Sequence, residues 1–551
     1  MRRKRRQQIC STFLDDLPNE LFAEIFSYLN GIDAIFAFTK LNFRFEKLLH
    51  KYCEHFDFKF ISKFKFDLVY QYNKTQQWKS LQISDDAFGL VDYFSQVYTF
   101  NIDFSLLKSL TIINLNLRKS YSILTQISSL QNLVSLTIKS QCGELMPPLY
   151  LPNLKRFVLS SCSCIDWIKD FAQLQTMEHM ISNCHWFHNN LIWPSTLTHF
   201  KLIFDFSIDW NSVQRSLVRL VLLNTLEIYQ KLRGNDPPNG QIWENLIRSS
   251  LPLLKTFKFY FQFCHHVHLP TSIQEIIASF STSFYTLEKK WFIRCDTSQY
   301  YYALLYSLPF PFDMLTVLQG SNIRSVTTLP NDITYSNIFS NIKTLQIWYQ
   351  TSEPNDDFQR NNIVNLLIAN DFPAIKWMHV LNNLQHLEMD YPLTMSPQNF
   401  LYLLQNAPHL CSLVTGQRIL ELATEHWRNI SICNQLSQKI VSLKFSGRYG
   451  TLECIRHNVI QKISEIFSSR CQHLSLSVPQ LSVSIINLIL NMSQLQSLHI
   501  ALSDQTNPII DITWLEKQQT IFNNSNCMIF SDNVNVHFWL GKRPSHKKAF
   551  R

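Results

Sequence analysis

Two spacings of apolar residues divide this chain. Near its start, Leu21, Phe22, Ile25, Phe26 and Leu29 fall at i, i+1, i+4, i+5 and i+8, which puts them on one broad stripe of an α-helix. Pro18 fits the first helical position, where a missing N–H costs nothing. Asp15 and Asp16 suit the positive end of the helix dipole. Asn30 and Gly31 follow, and glycine tolerates the left-handed backbone that ends many helices. Residues 33–38 and 41–49 read as a second and a third short helix. Three such helices in about 40 residues bury little core alone, so the module gains from a partner over its remaining apolar face.

The second spacing begins near residue 106. It is an apolar residue, two variable positions, a second apolar residue, one variable position and a third. Six units are Leu107/Leu110/Ile112, Leu133/Leu136/Ile138, Leu154/Phe157/Leu159, Leu197/Phe200/Leu202, Leu223/Leu226/Ile228 and Leu254/Phe257/Phe259. After a gap come Ile342/Leu345/Ile347, Leu384/Leu387/Met389, Ile440/Leu443/Phe445, Cys471/Leu474/Leu476 and Leu495/Leu498/Ile500. Leu174 with Met177, and Leu410 with Leu413, read as degenerate units in the wider gaps. The period is about 20–31 residues. The closing alternation of each unit is a short strand of period two. A lone unit leaves one apolar face open, so units must stack. Helix-like segments at 242–251 and 361–368 would cover the convex side, and Pro147, Pro148, Pro237 and Pro238 mark loops. Residues 260–340 lack clean units and read as an irregular insertion or a distortion of the array. A repeat-free α/β body of ordinary buried strands is the alternative. Between the two patterns, 56–105 carries alternating Phe56, Phe58 and Phe60 and a strand-like Trp78/Leu81/Ile83, and reads as a transition cap.

The string Leu17-Pro18, Glu20-Leu21, Glu24-Ile25-Phe26 and Tyr28-Leu29 resembles the opening of an F-box, and Leu41-Asn42-Phe43-Arg44-Phe45 resembles its closing segment. The resemblance covers residues 13–55. It implies a three-helix module that binds the Skp-type adaptor of SCF ubiquitin ligases, with Leu17, Pro18, Leu21, Ile25, Phe26 and Leu29 as adaptor contacts. The body behind it resembles the leucine-rich repeats found after many F-boxes. An ordinary helical cap, its stripe packed on the rest of the protein, is the other reading of the same helix.

Composition narrows the chemistry. With 46% apolar and only 17% charged residues, the chain has the material for a large core and is not generally disordered. The net charge of +9 is concentrated at the ends. Arg2, Arg3, Lys4, Arg5, Arg6 and Lys542, Arg543, Lys547, Lys548, Arg551 account for ten cations, leaving 40 basic against 41 acidic residues. A balanced body disfavours nucleic acid as a partner. The first run reads as a solvated tail or a nuclear-import patch. Residues 1–12 lack the apolar run of a secretory leader, and no stretch reaches the length of a membrane span. The 13 cysteines are then expected as reduced thiols in the cytoplasm or nucleus.

Catalytic and metal motifs are absent. Glycine is scarce, at 10 residues. Cys264, His266 and His268 would share a strand face, yet no second pair stands at finger spacing, so they read as ordinary polar residues. Cys162 and Cys164 read as small apolar residues near a strand end, with Cys184 and His185 downstream. The expected architecture is α/β: a solvated, disordered basic tail (1–12), a helical module (13–55), a transition (56–105), an irregular leucine-rich-repeat horseshoe (106–530) and a C-terminal segment ending in a basic tail (531–551). The expected function is a non-catalytic substrate adaptor that joins an unidentified protein substrate to a Skp-type adaptor and its cullin scaffold, without cofactor, metal or membrane. A non-ligase scaffold, nuclear or nucleic-acid-associated through its basic tails, is the second reading. Substrate-facing candidates are the variable positions Lys108, Thr111, Lys155, Lys201, Glu227, Lys258, Gln346, Glu388 and His499.

Overall fold

The computed structural model describes residues 17–540 apart from 60, 73–74, 86–89, 116–120, 141–146, 161–165, 182–190, 205–209, 231–237, 265–272, 298–301, 318–322, 331–337, 348–362, 370–380, 391–394, 447–453, 480, 482–484, 486–487, 489–490, 503–527 and 532–534. Three helices open it: α1 (Asn19–Tyr28), α2 (Gly31–Phe38) and α3 (Phe43–Tyr52). Pro18, at φ −59° and ψ 153°, is the cap residue before α1 rather than its first member. Gly31 opens α2 instead of closing α1, and the Asn30 side chain caps it by accepting from Ile32 N.

The helices run straight into a sheet. Only Cys53 and Glu54 separate α3 from the strand His55–Asp57. Cys53, Phe56 and Phe58 have the repeat spacing and are buried, and so are Trp78, Leu81 and Ile83 around the strand Ser80–Ser84. The segment 56–105 is therefore not a transition cap but part of the repeat array, which begins at Cys53. Cysteine, phenylalanine and tryptophan fill places that leucine and isoleucine take later, so these units do not look like the others.

Nine strands from His55–Asp57 to Thr256–Cys264 lie side by side in chain order, each parallel to the next. One register column crosses all nine: Phe56, Leu81, Leu110, Leu136, Phe157, Met177, Phe200, Leu226 and Phe257. Every member is buried. Parallel neighbours need a crossover between them, and one crossover per unit makes the array a solenoid. The backbone repeats one brace throughout. The carbonyl after each leading apolar residue accepts two bonds from the next unit, as Lys108 O does from Val134 N and Ser135 N at 2.8 and 2.9 Å. This brace uses no side chain, so those positions are free to vary. Asn114, at φ 57°, bulges the strand Ser109–Leu115, a left-handed conformation that asparagine tolerates.

Eight parallel strands from Met314–Val317 to Ser497–Leu502 repeat the arrangement in a second sheet. Its column is Leu315, Leu345, Leu366, Leu387, Leu413, Leu443, Leu474 and Leu498. The segment 361–368, expected as a helix, holds the strand Asn365–Ile368, because Ile363, Leu366 and Ile368 carry the repeat spacing. The helix expected over 242–251 is present as Gly240–Ser250. No helix of the described residues is long and apolar enough to cross a membrane.

The single solenoid expected over 106–530 is thus two sheets, and 260–340 is where one ends and the next begins. Tyr302–Ser307 pairs antiparallel with Thr256–Cys264, followed by Ile293–Thr297 and Arg324–Thr327. From Phe259 on, the strand Thr256–Cys264 is buried on both faces: Phe257, Phe259, Phe261 and Phe263 enter one core, and Tyr260 the other. Tyr260 stacks on Tyr229 at 4.8 Å, with Phe310 and Phe312 packed edge-on against the pair. Covered so, it cannot continue an array whose outer face stays open.

The second sheet finishes antiparallel, with Asn535–Trp539 and Met528–Ser531. Trp539 belongs to the first core, not the second. Its ring lies 5.5 Å from Phe66 and 6.1 Å from Tyr93, and its Nε1 donates to Ile61 O at 3.0 Å. An open horseshoe keeps its ends apart. Here the last strand returns to the first units, a contact spanning 478 positions of sequence.

Candidate interaction surface

The N-terminal helices have one apolar face inside and another outside. Four phenylalanines make the inside. Phe22 meets Phe45 edge-on at 4.9 Å, Phe26 meets Phe38 at 5.3 Å, and Phe38 lies 5.5 Å from Phe45. Arg44 of α3 ties down the start of α1. Its Nε donates to Asn19 Oδ1 at 2.9 Å, its terminal nitrogen donates to Leu17 O, and its guanidinium covers the Phe22 ring. Three of the five residues of the expected stripe are thereby assigned inward: Phe22 and Phe26 are buried, and Leu29 is partly buried against the same core.

The outward face is Pro18, Leu21, Ile25 and Tyr28, at i, i+3, i+7 and i+10. Leu21 is 44% exposed, Ile25 37% and Tyr28 81%. Leu41 and Phe43 are exposed where the chain enters α3, beside the residue that clamps α1. Of the expected contacts, Pro18, Leu21 and Ile25 are therefore presented to solvent, and Leu17 is partly so. Phe26 is not available: at 1% exposure it is committed to the aromatic core. Tyr28, missed from the sequence, is the most exposed member of the row; the interval of seven from Leu21 to Tyr28 was the signal for it.

This module is welded to the sheet. Asn30 Nδ2 donates to Asp57 O at 2.9 Å while Asp57 N donates to Asn30 Oδ1 at 3.1 Å, so one side-chain amide pairs with the edge strand as a backbone would. Lys65 bonds Asp33 and covers the Phe36 ring. Glycine at 31 is required by closeness, not by left-handed backbone: an added Cβ would lie 2.6 Å from Phe56 Cε1 and 2.9 Å from His55 O. Gly31→Ala is expected to cost about 1–3 kcal/mol, read as a lower denaturation midpoint. Cys53, just behind, is buried and its thiol is pushed up to about 12 by desolvation, which suits a packing role and not a reactive one.

The outer face of the first sheet neutralises itself. Glu178, Lys201, Glu227 and Lys258 form one register row, and Lys201 pairs with Glu178 at 3.2 Å and Lys258 with Glu227 at 2.9 Å. Such exposed pairs stabilise little, yet the alternation removes any field of one sign. Lys108 and Lys155 are exposed just ahead of their strands, and Thr111 is half-buried within its own. In the second sheet Gln346 accepts from Thr316 Oγ1 at 3.1 Å, and Glu388 is exposed. His499, expected on an open face, is buried, with His537 of the neighbouring antiparallel strand Asn535–Trp539 beside it in register. Among the described residues, no three His, Cys, Asp or Glu side chains are grouped to hold a metal. His266, His268, Cys162, Cys164, Cys184, His185 and both basic tails lie outside the described residues, as does the side chain of Cys264.

No protein-family model matches the sequence, and no curated protein matches it. Among solved structures, the chain is similar to TLR13 in the crystal structure of the TLR13–ssRNA13 complex, at 14% identity and a TM-score of 0.27, over 73% of this chain and 64% of that one. The chain thus spans less than two thirds of that protein. It is also similar to the functional domain of InlJ from Listeria monocytogenes, at 10% identity and a TM-score of 0.16, over 86% of each chain. The leucine-rich-repeat-like character of the body rests on its own register: one short strand per unit, one apolar column per sheet.

Proposed function

We propose that this chain is a substrate-recognition subunit of an SCF-type ubiquitin ligase, its N-terminal helices binding a Skp-type adaptor linked to a cullin scaffold and its repeat body receiving a protein substrate. What supports the reading is a single arrangement. The row Pro18, Leu21, Ile25 and Tyr28 stays outside on a helix whose inner face is already satisfied by Phe22 and Phe26. A helix serving only as an internal cap would have no use for that second apolar face. The amide pairing of Asn30 with Asp57 holds the row in fixed relation to the solenoid. A rigid receptor of this kind works by proximity, raising the effective concentration of substrate beside a ubiquitin-loaded enzyme. The chain itself performs no chemistry in this scheme, and localisation would be cytoplasmic or nuclear.

Binding to a purified Skp-type adaptor tests it, with the parent beside Leu21→Asp/Ile25→Asp. Both positions tolerate charge in the free protein because both are exposed. At an interface each aspartate is desolvated, so affinity should fall about a hundredfold or more. Equal binding by parent and variant, or none by a folded parent, overturns the proposal and leaves a free-standing repeat scaffold.

A further inference from the structure

The strand Asn535–Trp539 closes the second sheet and at the same time reaches the first. Val536 and Phe538 point into the second core. Trp539 enters the first, against Phe66 and Tyr93, with its Nε1–H on Ile61 O. Leu540 N donates to Gln496 O at 2.8 Å and pins the strand to its own sheet. One strand therefore bridges the two cores.

The face that carries Trp539 carries a group of histidines. In the register of the sheet, His473, Ser497 and Trp539 lie in one row across three strands, and Ser475, His499 and His537 lie in the next. The His499 and His537 rings are 6.4 Å apart, and His473 Nδ1 is 2.9 Å from Ser497 Oγ. His499 and His537 are both buried. Three imidazoles thus sit in two adjacent rows on one face, His499 and His537 buried and His473 half-buried.

We propose that this strand is a latch: Trp539 closes the two ends of the chain on each other, and protonation of the histidine group beside it in mildly acidic solution releases the closure. Charge is tolerated poorly there for two reasons. An imidazolium at His499 or His537 would lose its hydration, and each would face another of like sign. His537 is held down at about 3 by burial first and then by His499 and His473. From the N-terminal side, Tyr93 lies against Trp539 with Asp67 and Tyr70 acting on it, and Tyr98 packs on Phe66 behind; the charges acting on His537 itself are His499 and His473. Asp67 is already matched by Lys63 at 2.7 Å. The sign follows: a histidine with its ordinary value of ~6.5 when open and a depressed one when closed favours closure above ~6.5. That preference is lost as the pH falls below it. For one such group, moving from pH 7.5 to 5.5 shifts the balance toward opening about tenfold.

Hydrogen exchange on the full chain reads the latch directly, in peptides spanning 61–66 and 535–540. After correction for intrinsic exchange, both should lose protection together, about tenfold, between pH 7.5 and 5.5. His499→Gln/His537→Gln should abolish the change. Trp539→Ala should expose both peptides already at pH 7.5 while peptides spanning 107–138 keep their protection. Trp539→Phe, which keeps an aromatic ring but not the bond to Ile61, is the milder variant should alanine unfold the chain, and should open both peptides partly. Three results would each overturn the latch: persistence of the pH response in the double-histidine variant, protection of 61–66 unaffected in both Trp539 variants, or loss of protection across 107–138 in step with the ends.

Discussion

Phe26→Ala is expected to destabilise the N-terminal helices by about 3–5 kcal/mol, while Ile25→Ala, one residue away, should change stability by about 0.5 kcal/mol or less. Phe26 fills the space between Phe22 and Phe38, with ring centroids at 6.0 and 5.3 Å. Alanine leaves a hole that the welded helices cannot collapse around, since Arg44 and Asn30 fix both ends of α1. Ile25 faces outward and loses little when shortened. Limited proteolysis within residues 17–52, followed against urea, reads the difference. Comparable losses at both positions would mean that the outward row is packed in the free protein, and the basis of the proposed interface would go with it.

That contrast also shows what a helical stripe conveys. The spacing of Leu21, Phe22, Ile25, Phe26 and Leu29 marks a helix and its apolar side correctly. It does not say where the side divides, because the division is made by Phe38 and Phe45 on other helices. The repeat columns were far more legible. Each strand must place its central apolar residue beside that of its neighbour, so the spacing alone fixes register. Units escaped notice where the spacing was kept with unusual residues, as at Cys53/Phe56/Phe58, or where a run such as 361–368 also suits a helix. The turnover at 260–340 was illegible for a different reason. The alternating phenylalanines from Phe257 to Phe263 mark one buried face, but the burial of Tyr260 on the other comes only from the second core arriving over it. The return of Trp539 to Ile61 leaves no local trace at all.

His179 is the most instructive residue of the array, and the unit it belongs to looked degenerate because of it. Leu174 and Met177 hold the first two apolar places, and His179 stands third, where other strands have Ile83, Ile112, Ile138, Leu159, Leu202, Ile228 or Phe259. It is fully enclosed, with Trp193 at 6.0 Å and one long contact of 3.4 Å from Nδ1 to Leu159 O. Burial pushes its pKa down to about 4, against the opposing contact with the Leu159 carbonyl. The ring is therefore neutral in the fold at pH 7. Because the folded value lies below the ordinary ~6.5, the unfolded chain binds the proton first as pH falls. Stability is full above ~6.5 and declines between ~6.5 and the folded value, by about 3 kcal/mol once both are passed. His179→Leu should remove that decline and raise the urea midpoint at pH 5 more than at pH 7.5, since leucine restores the column and leaves no polar atom behind. Parallel pH profiles for parent and variant would show that the imidazole is hydrated in the fold, and that this unit does not pack as its neighbours do.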